Sequence, residues 1–299
     1  MSWGAHQFEI YAIQAHLPRR MRGRISFFGV WLGDFTPDFL AKFWVYGVTI
    51  GSTHYGAHVP HRWHRGWPGV GFTHTLSFGL LVAGGLWLWR RRRALTVGYA
   101  LGFAAHALTD VNDSVGTMLL FPFSTLNWTT QAWSYAATVS GGKYLDAAAY
   151  YSSLGLVMDL LWLGVVLGWW RALTREFWRT EVVPADPHGW ARLGGLMPER
   201  ALLALYHATF FYGICRVVSW STWTHVVARP VIDGVRRVGY PLDLSWTGPW
   251  WIGTRSLPHA PPALVPVVAG LLLVLVYATA SALWERMGAA EAVARGAGA

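Results

Sequence analysis

One cysteine in 299 residues, Cys215, excludes an intrachain disulfide and a thiolate metal cluster. Charge is scarce too: Asp, Glu, Lys and Arg make up 13% of the chain, against a usual share of about a quarter. Acids are the rarer sign, 15 against 24 Lys and Arg, which leaves a net charge of +9. That excess does not have the layout of a nucleic-acid footprint. The arginines gather at 19–24, 90–93 and 171–179, each time beside an apolar run, as the positive-inside rule describes. No nucleic acid is therefore expected among the partners. Internal repeats are absent. The basic group Arg19–Arg24 is not followed by a small-residue cleavage site, so no secretory signal peptide is expected.

What the chain does have is apolar length and tryptophan. Hydrophobic residues make up 54%, and twenty are Trp, a side chain that favours the membrane–water boundary. Runs at 72–89, 94–109, 154–170, 201–220 and 263–284 approach or reach the roughly 20 apolar residues needed to cross a bilayer core. The expected fold is all-α and polytopic, with about five to seven transmembrane or re-entrant helices, in a plasma membrane of bacterial inner-membrane type. Placing "RRRR" (90–93) in the cytoplasm sends 72–89 inward and 94–109 outward as a tight antiparallel hairpin. Arg229, Arg236 and Arg237, in the outer segment that follows the span 201–220, run against that rule.

Polar residues inside such runs carry the chemistry, because ionisable groups there are costly and by default mark function. His74 lies near the outer end of one span, and His106 and Asp110 near the outer end of the next. His106 and Asp110 are four apart and stack on one helix face. As an imidazole–carboxylate pair they suit zinc or another first-row metal, or else a structural hydrogen bond. Residues 33–38 read "GDFTPD". Thr36 as N-cap and Pro37 at the first helical position predict a helix break here, with Asp34 in the bend and Asp38 in the first turn. Two carboxylates at membrane depth require a compensating charge, which a metal supplies; the plainer reading is capping and a helix-dipole contact. About ten residues of helix, roughly 15 Å, separate the acidic motif from the basic group. The histidines fall toward the opposite face, so a shared site requires a tilted or re-entrant first segment.

"GDFTPD", then "HRG" and "FTHT" within 64–75, then "GFAAHALTDVNDSVGTMLLFPFS" (102–124) resemble the family of membrane-bound metal-dependent hydrolases. More remotely they are similar to zinc-dependent phospholipase C and its single-strand nuclease relatives. The resemblance covers about residues 1–125 and extends toward 154–170. It departs from the family at "WPGVG" (67–71), which separates HRG from TH, and at Thr75, where serine is usual. It implies an all-helical hydrolase of a phosphoester, lipid-linked at the membrane boundary, with a His/Asp cluster holding a divalent ion. Zinc comes first, with manganese or iron as alternatives.

On that reading the metal ligands are His6, Asp38, His64, His74, His106 and Asp110. Asp34 and Asp113 are the catalytic carboxylates, and Arg65 pairs a phosphate oxygen. Asp110 or Asp38 can bridge two ions. His6 ranks above His16, and His54, His58 and His61 read as solvated interfacial residues. The organisation is a hydrolase-like core at 1–179, a polar cytoplasmic linker at 180–200, and further transmembrane helices with a Trp-rich outer loop ("LSWTGPWWIG", 244–253) at 201–299. His207 and Asp159, inside spans, read as helix–helix hydrogen-bond partners. Beyond membrane lipid, the partner to weigh is a larger membrane complex, in which the chain would be a non-catalytic accessory subunit retaining the hydrolase fold. A histidine-box di-iron oxidase lacks its second box here, and a haem subunit would use His74, His106 or His207 as axial ligands.

Overall fold

The computed structural model describes residues 4–55, 64–67, 69–112, 116–128, 150–151, 154–227, 275, 278–279 and 282–290. It is all-helical apart from one short antiparallel hairpin. Among the described residues its principal helices are α1 (Ala5–His16), α2 (Phe27–Tyr46), α3 (Leu76–Arg90), α4 (Arg93–Asp110), α5 (Leu154–Gly168), α6 (Pro187–Gly194) and α7 (Glu199–Thr222). The hairpin pairs β1 (Val48–Ile50) with β2 (Thr53–Tyr55), so His54 lies on a strand. His58, His61, Asp113 and the Trp-rich segment 244–253 lie outside the described residues.

The two helices of the expected hairpin are present as α3 and α4, joined by Arg91 and Arg92. Arg91 adopts a left-handed conformation (φ 49°) and its N–H caps the Trp87 carbonyl. Thr75 starts α3, its hydroxyl accepting from the Phe78 N–H at 3.2 Å.

The break expected at 33–38 is absent, a correction to the capping argument. Helix α2 begins earlier, where the Ser26 hydroxyl accepts from the Gly29 N–H at 2.8 Å, and runs through Pro37 to Tyr46. Thr36 is not a cap; its hydroxyl donates to the Leu32 carbonyl at 2.5 Å. Packing on α4 outweighs the lost proline N–H. Two glycine pairs, Gly29/Gly33 on α2 and Gly98/Gly102 on α4, bring the two backbones into contact, as small residues four apart do between membrane helices. A Cβ at Gly33 would sit 2.0 Å from the Tyr99 carbonyl oxygen, and one at Gly102 would sit 2.1 Å from that of Val30. Gly29 faces Leu95 and Tyr99, and Gly98 faces Ser26 and Val30, so the helices run parallel.

That register resolves the depth problem. Gly102 faces Val30 and the Asp34 N–H, so Asp34 and Asp38 lie level with the His106–Asp110 turn.

Helix α1, about 18 Å long, is too short to cross a bilayer core of about 30 Å. It is buried almost all round. Asp159 on α5 anchors its first turn, accepting from the Ala5 N–H (2.8 Å) and from the hydroxyls of Tyr150 (2.9 Å) and Tyr151 (3.0 Å). Tyr11 donates to the Tyr206 carbonyl, and the Tyr206 hydroxyl donates to that of Ala172, tying α1 to α7 and the 170–173 turn. His207 donates to the Leu173 carbonyl at 2.9 Å. His207 and Asp159 therefore act as the inter-element hydrogen-bond partners expected of them.

The stretch expected as a polar linker at 180–200 is largely helical. A π-helical turn, Trp178–Val182, leads into α6, and Trp178 and Trp190 are buried edge-to-face, 5.5 Å apart. Trp190 also packs on Phe28 at 4.8 Å, while the Asp186 carboxylate accepts from the Phe28 N–H. The buried indole of Trp190, packed on Trp178 just before the segment, gives it a reason to pack that its polar composition concealed.

One helical stretch among the described residues, Glu199–Val226, is long and apolar enough to cross a membrane, and only 28% of its most apolar window is buried. Two shorter apolar helices, Leu76–Arg90 and Gly155–Gly168, accompany it. Large apolar side chains stand exposed on α2 (Phe39, Trp44), α3 (Leu80, Leu81) and α5 (Leu161).

Candidate metal centre

Four segments deliver histidine and aspartate side chains to one buried cluster. Helix α1 supplies His6, α2 supplies Asp34 and Asp38, the 64–75 segment supplies His64 and His74, and α4 supplies His106 and Asp110. None of the seven residues is more than 7% exposed. They form three groups whose ligand atoms lie within 4.8 Å of one another: His6, Asp34 and His106; Asp38, His64 and His74; and His74, His106 and Asp110.

The local geometry follows from helix periodicity. Asp34 and Asp38, and likewise His106 and Asp110, are each one turn apart on facing sides of the parallel pair. His106 Nε2 lies 3.1 Å from Asp110 Oδ2. His6 stacks on His106, ring centroids 4.0 Å apart, and its Nε2 lies 3.4 Å from Asp110 Oδ1. His64 Nε2 and His74 Nε2 approach Asp38 Oδ1 at 3.3 and 3.7 Å. The Thr73 hydroxyl engages His74 Nδ1 at 3.1 Å, which turns Nε2 toward the carboxylates.

Cations of the chain itself also enter. Arg65, fully buried, places Nη2 2.6 Å from Asp110 Oδ2 and donates from Nη1 to the Gly116 carbonyl. It was expected to hold a substrate phosphate; its described contacts are internal. Lys42, one turn beyond Asp38, donates to Asp38 Oδ2 at 2.5 Å, and its side chain is 34% exposed.

A residue that sequence reasoning missed completes the picture. Glu9 is fully buried, bonds His6 Nδ1 at 3.3 Å through Oε2, and accepts the Thr109 hydroxyl at 2.5 Å through Oε1. A carboxylate on the far nitrogen of a ligating histidine fixes its tautomer and ring orientation. The signal was the His6-x2-Glu9 spacing, which puts both on one face of α1. His16, ranked below His6, is elsewhere: it packs edge-to-face against Trp169 at 4.3 Å and bonds the Ala12 carbonyl.

Protonation within the cluster is sharply divided. Burial lowers His64 from 6.5 to about 4, against the pull of Asp38, so its imidazole is neutral at neutral pH. Burial also disfavours charge on His6, but Glu9 and Asp110 overcome it and raise His6 well above its ordinary value. His6 in turn holds Glu9 down against the burial that would raise it.

The residues fit a divalent cation. Buried His6 Nε2, both oxygens of Asp34, His74 Nε2 and both ring nitrogens of His106 lie near charged partners but make no aligned hydrogen bond. Burying so many unsatisfied ligand atoms is expensive, and a bound cation is the ligand that satisfies acceptors of this kind. The all-nitrogen-and-oxygen donor set suits zinc, manganese or iron.

No family model matches the chain, and no curated protein or solved structure matches it.

Proposed function

We propose that the chain is a metal-dependent phosphoesterase, acting on a lipid-linked substrate as a multi-pass protein of a bacterial-type plasma membrane. The observation that carries the reading is the convergence of buried histidines and aspartates from four segments, with ligand atoms of His6, Asp34, His74 and His106 making no aligned hydrogen bond. His6, Asp34 and His106 would hold one divalent ion, and Asp38, His64 and His74 another. Such ions lower the pKa of a bound water and neutralise charge developing on a phosphoryl oxygen. The residues of the chain do the rest. Glu9 and Thr73 orient His6 and His74. Asp34, with an oxygen to spare beyond one ligand bond, accepts a proton from the attacking water. Lys42, the partly exposed cation at the edge of the cluster, draws in the anionic group. The apolar faces of α2, α3, α5 and α7 support the membrane setting, since exposed apolar surface on this scale calls for an apolar neighbour.

The test is turnover. Detergent-purified protein should hydrolyse bis(p-nitrophenyl) phosphate or a phospholipid, lose the activity to a chelator, regain it with zinc or manganese, and lack it in His106→Ala. The near-complete burial of the cluster favours one second reading, a structural metal in an accessory subunit of a larger membrane complex. Bound metal without turnover would select it.

A further inference from the structure

The three ligand groups suggest three ions, but the side chains do not support that number. We infer that the centre holds two divalent ions per chain and that Arg65 is the built-in third cation, fixed on Asp110. The inference rests on the metal-dependent reading above and specifies its stoichiometry.

Ligands are too few for three ions. The three groups have nine places but only seven residues, because His74 and His106 are each counted twice. A neutral imidazole offers one acceptor nitrogen. Once His106 serves with His6 and Asp34, and His74 serves with Asp38 and His64, the third group retains Asp110 alone. One carboxylate is not a site.

The remaining carboxylate, Asp110, is also already engaged. The Asp110 oxygen that faces His74 and His106 is Oδ2, and Arg65 Nη2 already lies 2.6 Å from it. Guanidinium is a permanent cation, and its rigid fork matches a carboxylate. A divalent ion in the third group would share that oxygen with a buried positive charge, with little solvent to screen the two. The Gly116 carbonyl takes an N–H from Nη1, so the guanidinium is held at both of its terminal nitrogens.

Charge balance sets the same limit. Glu9, Asp34, Asp38 and Asp110 oppose Arg65 and Lys42, leaving a formal −2 with neutral histidines. Two divalent ions carry the centre to +2, which an incoming phosphoester anion offsets. Three would carry it to +4 in a nearly solvent-free interior.

The experiment is a count. Detergent-purified chain is saturated with Zn²⁺, freed of excess by gel filtration, and analysed by elemental mass spectrometry against quantified protein. The wild type should hold two zinc ions per chain. Arg65→Met/Asp110→Asn removes the internal pair while keeping shape and net charge, and it should also hold two. Three ions in the wild type would overturn the inference, as would a drop to one in the folded double variant, which would make Asp110 a ligand. The wild-type count stands even if the double variant does not fold. No zinc at all in folded wild type would instead overturn the metal-dependent reading itself.

Discussion

Gly33→Ala is the substitution that most directly probes how the fold builds the centre. A Cβ there would lie 2.0 Å from the Tyr99 carbonyl oxygen and 2.8 Å from the Phe103 N. A carbon approaching a carbonyl oxygen settles at about 3.3–3.6 Å, so α2 and α4 must part by more than about 1 Å. Overpacking of this kind costs about 1–3 kcal/mol, and contact with rigid backbone puts Gly33 at the upper end. The same shift separates Asp34 and Asp38 from His106, whereas metal–ligand distances tolerate only about 0.2 Å. Metal affinity should therefore fall by at least about tenfold, or about 1.4 kcal/mol. Gly84→Ala, on α3 with nothing within 4 Å of the new methyl, is the control and should be neutral or slightly stabilising. Thermal unfolding in detergent and zinc competition with a chromophoric chelator give the two readouts. A Gly33→Ala protein that matches wild type in both would refute the claim that close α2–α4 contact sets the ligand positions.

Glu9→Gln keeps the shape but removes the charge behind His6, and metal affinity should fall by about 10–100-fold in the same chelator competition, with unfolding little changed. Asp159→Ala takes away the acceptor shared by the Ala5 N–H and the Tyr150 and Tyr151 hydroxyls, so unfolding should come at least about 2–3 kcal/mol earlier as α1 loosens, read by denaturant titration. His64 supplies a pH test on chelator-treated protein. Its folded value of about 4 lies below the ordinary 6.5, so the unfolded chain binds the proton first and stability falls as pH drops through that window. The loss amounts to about 3 kcal/mol at about 1.4 kcal/mol per pH unit, and His64→Asn should lack that part of the slope in paired unfolding curves at pH 7 and pH 4.

The parts of the site that were legible in the sequence are those that sit within one helix or one hairpin. His106 and Asp110 declare themselves by four-residue spacing, and the α3–α4 turn by its run of arginines. Asp159 and His207 read correctly as internal hydrogen-bond partners because an apolar span has few other uses for them. Helix α1 was not legible: buried all round, it lacks the amphipathic stripe that marks a surface helix, and Glu9 went unnoticed with it. Pro37 pointed to a helix start, yet tertiary packing carried α2 through it. The decisive missed signal was the pair of glycine steps, 29/33 and 98/102. They make α2 and α4 parallel and in contact, and so bring the acidic motif level with the histidines that it seemed unable to reach. In the 180–200 segment polar residues outnumber the one indole, Trp190, whose packing on Trp178 and Phe28 holds it helical against the fold.

The central claim is that this cluster is a nitrogen-and-oxygen-ligated metal centre. Zinc K-edge X-ray absorption on zinc-loaded, detergent-purified chain, wild type beside Asp34→Ala/His106→Ala, tests it most directly. The account predicts a first shell of nitrogen and oxygen at about 2.0–2.1 Å with imidazole outer-shell scattering and no sulfur, and less bound zinc in the double variant. Zinc bound equally well by both proteins, or a shell without imidazole, would contradict it.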